Sequence, residues 1–144
     1  MTAPNKKTIL FVDDDEDDFM LFGDIFKECR PDIELQWAKD GEEALERLMR
    51  RGPFLGAARP YLILLDLNMP KLSGQEVLKN IRADKDLQCI PVVVLTNSMN
   101  KDEAEQAYRA GVTCFVRKPS GYKELRGFVE VFCKYWFNYS TLIV

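Results

Sequence analysis

The chain has 144 residues, an ordinary size for one folded unit, and its 47% hydrophobic and 30% charged residues exclude a disordered or low-complexity polymer. Its net charge of −3, from 20 basic against 23 acidic residues, offers no electrostatic footprint for nucleic acid, and the basic pairs Lys6-Lys7 and Arg50-Arg51 read as solvated ends. Histidine is absent, which removes Ser-His-Asp and Cys-His catalysis, histidine-based zinc sites and phosphohistidine carriage.

The longest apolar runs, Tyr61–Leu65 and Ile90–Leu95, fall far short of the ~18 residues of a membrane span. Met1–Thr8 lacks the apolar stretch of a secretory signal, so a soluble cytoplasmic chain is expected, with Cys29, Cys89, Cys114 and Cys133 as reduced thiols.

Strand and helix patterns alternate along the chain. Ile9–Val12 is a short apolar run ended by the acidic block Asp13–Asp18. Phe19, Phe22, Phe26 and Cys29 then recur with helical period until Arg30-Pro31. Ile33, Leu35 and Trp37 alternate with polar residues, as an edge strand does, and Ala44, Leu45, Leu48 and Met49 stripe a second helix closed by Gly52-Pro53. After the long loop Gly52–Pro60, Tyr61–Leu65 is apolar on both faces, as a central parallel strand must be. Val77, Leu78 and Ile81 mark a third helix, Val92–Leu95 a β-branched strand, Lys101–Ala110 a polar helix, and Cys114–Val116 a last short strand. Leu125, Phe128, Val129, Phe132 and Trp136 trace a final amphipathic helix. Five strands alternating with five helices predict an α/β doubly wound parallel sheet, because crossovers are right-handed. No repeat or second domain is expected, and no output module after the last helix.

In open α/β sheets, ligands bind beyond the carboxyl ends of the strands. Those ends carry Asp13 and Asp14, Asp66, Thr96 and Lys118. An Asp after a strand is most often a turn residue or helix cap, but that account weakens when four strand ends carry polar groups together. Clustered carboxylates repel unless a cation intervenes, and an all-oxygen donor set suits Mg²⁺, which keeps room for phosphate oxygens. Asp66 can then serve as a nucleophile forming an acyl phosphate, with Thr96 and Lys118 available to its oxygens. Asp15 to Asp18 read as decoration of a helix N-terminus, where carboxylates suit the dipole.

The segments ILFVDDD, LILLDLNMP, VVVLTNS and FVRKP resemble the four signature regions of the two-component response-regulator receiver family, over about Lys7 to Phe137. The resemblance implies a flavodoxin-like receiver fold with strand order 2-1-3-4-5, here as a single domain over residues 1–144 with a tail at 138–144. It makes Asp66 the phosphoacceptor and places Mg²⁺ on Asp14, Asp13 (largely through water), Asp66 and the Asn68 carbonyl. Thr96 and Lys118 would contact the phosphoryl group, Phe115 would be the switch aromatic, Asn68 and Ser98 would tune autodephosphorylation, and the Lys118–Pro119 bond would be cis. The implied role is a signalling protein rather than an enzyme, one that takes a phosphoryl group from a sensor histidine kinase and catalyses only its own transfer and autodephosphorylation.

Two alternatives belong to other classes. A haloacid-dehalogenase-type phosphatase needs a second Asp where this chain has Asn68, and a P-loop kinase needs a GxxxxGK[ST] that does not occur. A pseudo-receiver would lack site residues that are all present. The Gly52–Pro60 loop and the Tyr135-Trp136-Phe137 end are similar to the single-domain regulators partnered with bacterial phytochrome kinases, which tend to be homodimers. Phe132, Tyr135, Trp136 and Phe137 are the interface candidates. A monomeric chemotaxis-type regulator, or a receiver serving an unrelated kinase, is the alternative within the family.

Overall fold

The computed structural model describes residues 6–97 and 100–143. Its elements run β1 (Lys7–Val12), α1 (Glu16–Cys29), β2 (Ile33–Ala38), α2 (Gly41–Leu48), a 3₁₀ turn (Gly52–Phe54), β3 (Leu62–Leu65), α3 (Gly74–Ala83), β4 (Val92–Thr96), α4 (Lys101–Arg109), β5 (Cys114–Arg117) and α5 (Tyr122–Cys133). The five strands form one parallel sheet in the order β2-β1-β3-β4-β5, as expected from the crossover rule and the resemblance.

The strand side chains alternate between two cores. Leu10, Val12, Ile63, Leu65, Val92 and Val94 face α2, α3 and α4, whereas Ile9, Phe11, Leu62, Leu64, Val93 and Leu95 face α1 and α5. Because β1, β3 and β4 are covered on both sides, their apolar runs are nearly unbroken, as burial on both faces requires. Side chains cap the helices: Asp15, Asp40, Ser73 and Asn100 accept from free backbone N–H groups in the first turns of α1, α2, α3 and α4. Among the described residues no helix is long and apolar enough to cross a membrane.

Helical winding continues past Cys133 as a π-helical segment, Lys134–Tyr139, closed by the bond from Ser140 N–H to the Tyr135 carbonyl. Residues 138 and 139, assigned to the tail at 138–144, are therefore wound into this segment. The wider turn lets adjacent Trp136 and Phe137 both pack on the α1/α5 core. Phe137 also lies against Tyr61 at 6.3 Å between ring centroids. Phe132 is buried in that core, 6% exposed, which corrects its reading as an interface residue: it lies on the stripe with Leu125 and Val129. Val131, Tyr135 and Tyr139, at successive spacings of four, remain exposed.

Candidate functional site

The sheet reverses direction at β1: the chain passes outward to β2, then returns across to β3. The crevice between the ends of β1 and β3 is thus the switch point where α/β proteins bind ligands. Asp13 leaves β1 with its N–H bonded to the Ala38 carbonyl at 3.1 Å, and Asp66 leaves β3 with its N–H bonded to the Val12 carbonyl at 2.9 Å. These two ladder bonds set the carboxylates beside each other. One oxygen from each of Asp13, Asp14 and Asp66 lies within 4.8 Å of the others.

The Lys118 ammonium is held below them, itself almost buried. It donates to Asp13 Oδ2 at 2.6 Å and Asp18 Oδ2 at 2.9 Å, and stands 4.0 Å from Asp66 Oδ2. Burial pushes the Asp13 carboxyl above its usual range, although the Lys118 bond, the Asp15 N–H at 2.9 Å and the Lys118 charge oppose that rise. Asp66 is raised to about 6, mainly by burial, against the Asn68 N–H that it accepts at 3.0 Å and the Lys118 charge; Asp13 and Asp14 add to the rise. Burial favours a neutral Lys118, but its bonds to Asp13 and Asp18 outweigh this and hold it charged.

Thr96, fully buried at the end of β4, accepts from Asn68 Nδ2 at 3.4 Å, so a side-chain bond spans from the β3 loop to the next strand. The backbone N–H of Lys118 bonds the Thr96 carbonyl at 2.8 Å and fixes the end of β5 against β4. Phe115 is half-buried against the α2–α4 core, and its backbone N–H donates to the Tyr108 hydroxyl of α4 at 3.1 Å. Ser98 lies outside the described residues. The Lys118–Pro119 bond is trans, because no cis peptide occurs among the described residues, which corrects the cis expectation. Trans is the lower-energy isomer of an X–Pro bond, and Lys118 reaches Asp13 and Asp18 within it.

Three further residues shape the site. Asp18 pairs with Lys118 instead of merely decorating the helix; it sits one turn before Phe22 on the inward stripe of α1, a signal readable from the helical period. Trp37 Nε1–H donates to the Asp13 carbonyl at 2.8 Å while its ring stacks on Phe19 at 5.3 Å. Gly74 opens α3 where any Cβ would lie 2.5 Å from the Asp66 carbonyl oxygen and 2.7 Å from the Leu67 Cα, so only glycine lets the helix close on this loop.

The donor set suits a hard divalent cation. Three carboxylates converge without a soft ligand, and the raised carboxyls of Asp13 and Asp66 are those a second cation would relieve. Comparison with known proteins agrees with this chemistry. The response regulator receiver domain model matches residues 9–130. Response regulator Rcp1 of Synechocystis is 40% identical over 136 residues, covering 94% of this chain and 92% of the relative. The chemotaxis protein CheY-3 of Vibrio cholerae is 34% identical and covers 72% of this chain and 76% of its own. Among solved structures, the phosphorylated cyanobacterial phytochrome response regulator RcpA superposes with a TM-score of 0.91 at 36% identity, over 97% of this chain and all (100%) of that one. The Mn²⁺-bound form of Rcp1 superposes with a TM-score of 0.87 at 39% identity, over 96% and 99% of the two chains.

Proposed function

Because the chain belongs to the response-regulator receiver family, we propose that its phosphoryl-accepting switch runs through Asp66, with Mg²⁺ as the cation and a phytochrome-type histidine kinase as the donor. The observation that carries this is the grouping of Asp66 within 4.8 Å of Asp13 and Asp14, with the Lys118 ammonium 4.0 Å away. Asp13 already holds Lys118 at 2.6 Å, whereas Asp66 stands 4.0 Å from the ammonium and leaves room for an added phosphoryl group between them.

In the transfer, an Asp66 Oδ attacks the phosphorus of the donor's phosphohistidine in line, the P–N bond breaks, and the imidazole leaves with its electron pair. Asp14, Asp66, the Asn68 carbonyl and, largely through water, Asp13 would hold Mg²⁺, which would supply positive charge to the phosphoryl oxygens. The Asn68 N–H orients the Asp66 carboxylate for attack. Lys118 begins on Asp13 and Asp18 and moves its charge toward the new phosphoryl oxygens. Thr96 exchanges its Asn68 contact for a phosphoryl oxygen, and the space it leaves admits Phe115. Rotation of Phe115 pulls on the β5 backbone, which Tyr108 ties to α4, so the face built from α4, β5 and α5 changes its contacts. Asn68 and Ser98 then set the rate of autodephosphorylation.

The unit works through protein contacts as a homodimer, with the exposed Val131, Tyr135 and Tyr139 stripe and the flanking Trp136 and Phe137 as the self-association surface. Intact-protein mass spectrometry after acetyl phosphate treatment tests the chemistry. A single Mg²⁺-dependent phosphoryl adduct, absent in Asp66→Asn, is expected; an adduct of equal yield in the variant overturns the assignment. Sedimentation of Tyr135→Glu tests the dimer, and wild-type self-association in that variant would move the interface elsewhere.

A further inference from the structure

We propose that the long connection between α2 and β3 roofs a binding site for a small phosphate- or carboxylate-bearing molecule, at the opposite end of the sheet from the acidic crevice. A cavity of about 490 Å³ lies there, bounded by Lys6, Thr8, Gln36, Arg50, Arg59 and Tyr61, with Glu34 at its side. That volume is within the usual range of small-molecule pockets. Thr8 is the second residue of β1 and Tyr61 precedes β3, so the cavity sits under the N-terminal ends of the two strands whose other ends carry Asp13 and Asp66.

Its charge runs against that of the whole molecule. Three cations, Lys6, Arg50 and Arg59, face one carboxylate, Glu34, in a chain of net charge −3. The pairs Lys6-Lys7 and Arg50-Arg51 that read as solvated ends therefore each send one member to a common concavity.

Among the described residues, two groups in the wall are buried without a hydrogen-bond partner: the Arg59 Nε donor and the Gln36 Oε1 acceptor. The Arg59 ion pair with Asp86 does not answer the first, because it runs from the other end of the guanidinium at 3.9 Å to a carboxylate that is 75% exposed. The loop is tied down around them: Tyr61 N–H donates to the Thr8 carbonyl at 2.8 Å, and the Thr8 hydroxyl donates to the Arg59 carbonyl at 3.5 Å. Leaving both unpaired is costly, and because both atoms are covered by protein they gain partners only when the two side chains turn toward the cavity. The complementary ligand then offers an anionic oxygen to Arg59 and an O–H or N–H to Gln36.

Arg50 adds an independent observation. It follows the C-cap of α2 with φ of 56°, and the bonds from Arg50 N–H to the Arg47 carbonyl (3.2 Å) and from Arg51 N–H to the Glu46 carbonyl (2.9 Å) complete a helix-ending motif that favours glycine there. The chain places an arginine at that left-handed position, and its side chain lines the cavity.

The test is a titration of the ¹⁵N-labelled full chain in chelator, following the arginine Nε–H resonances, with glycerol 3-phosphate, malate and, as the neutral control, glycerol. A saturable shift of the Arg59 Nε–H with either anion below about 10 mM is expected, and which anion saturates first identifies the source of the charge. Arg59→Gln, read on the Arg50 Nε–H that remains, should weaken binding by about tenfold or more. Arg50→Gly, which suits the backbone and keeps the helix end intact, should also weaken it. Shifts that stay linear, that glycerol reproduces, or that survive both substitutions would mean an adventitious ion only and overturn the proposal.

Discussion

Replacing Asp66 by Asn should make the metal-free protein more stable, and by an amount that depends on pH. The carboxyl is raised from 3.8 to about 6 by burial, so the folded state holds a proton more tightly than the unfolded chain does. A raised carboxyl stabilises the fold only where it is protonated. Stability contributed by Asp66 is therefore greatest at acid pH and is lost as pH rises from about 4 through about 6. The stability lost relative to strongly acid pH is on the order of 3 kcal/mol at pH 7 but only about 0.6 kcal/mol at pH 4. Asn is nearly isosteric, its Oδ1 can still accept from the Asn68 N–H, and it does not ionise. Urea unfolding in chelator should thus place Asp66→Asn above wild type by about 3 kcal/mol at pH 7, the gain shrinking several-fold at pH 4. A variant equal to or weaker than wild type at pH 7, or a gain independent of pH, would refute the claim that burial raises the Asp66 carboxyl.

Lys118→Ala leaves Asp13 buried without its ammonium and should cost about 3 kcal/mol in the same assay, part of which added Mg²⁺ restores; an unchanged midpoint would refute the pairing. Gly74→Ala drives a methyl into the Asp66 carbonyl and the Leu67 backbone, so phosphoryl uptake should slow by about ten- to a hundredfold with the fold retained, and a rate within about twofold of wild type would count against the packing argument. Tyr108→Phe removes the acceptor from the Phe115 N–H, and hydrogen exchange at that amide should quicken by the equivalent of about 1 kcal/mol.

Much of the fold was legible in local pattern. Strands buried on both faces leave unbroken apolar runs such as Leu62–Leu65, and helices on a sheet leave stripes such as Val77, Leu78 and Ile81. The crevice was legible because the topology turns sequence position into spatial position: the residue after each inner strand must lie at the same sheet end, and Asp13, Asp14 and Asp66 do meet there. Asp18 was misread because charge composition dominated a block whose helical phase carried the answer. Trp37 could not be found from spacing, because its bond to the Asp13 carbonyl depends on β2 running beside β1 in a particular register. Phe132 was read both as part of the apolar stripe of the last helix and as an interface candidate, and its phase with Val129 puts it inside. The Gly74 requirement arises from a close approach of backbones, which a single sequence does not display.

The placement of the two tryptophans gives the molecule a built-in pair of optical reporters. Trp37 is hydrogen-bonded to the backbone of a crevice carboxylate, so its emission should respond when a cation or a phosphoryl group alters the local field. Trp136, half-buried on the π-helical segment beside exposed Tyr135, should respond instead to whatever covers that end. With only these two indoles in the chain, a Trp136→Phe protein isolates the first signal and a Trp37→Phe protein the second. The order in which charging of the site and burial of the aromatic end occur then becomes a stopped-flow question that requires no attached dye.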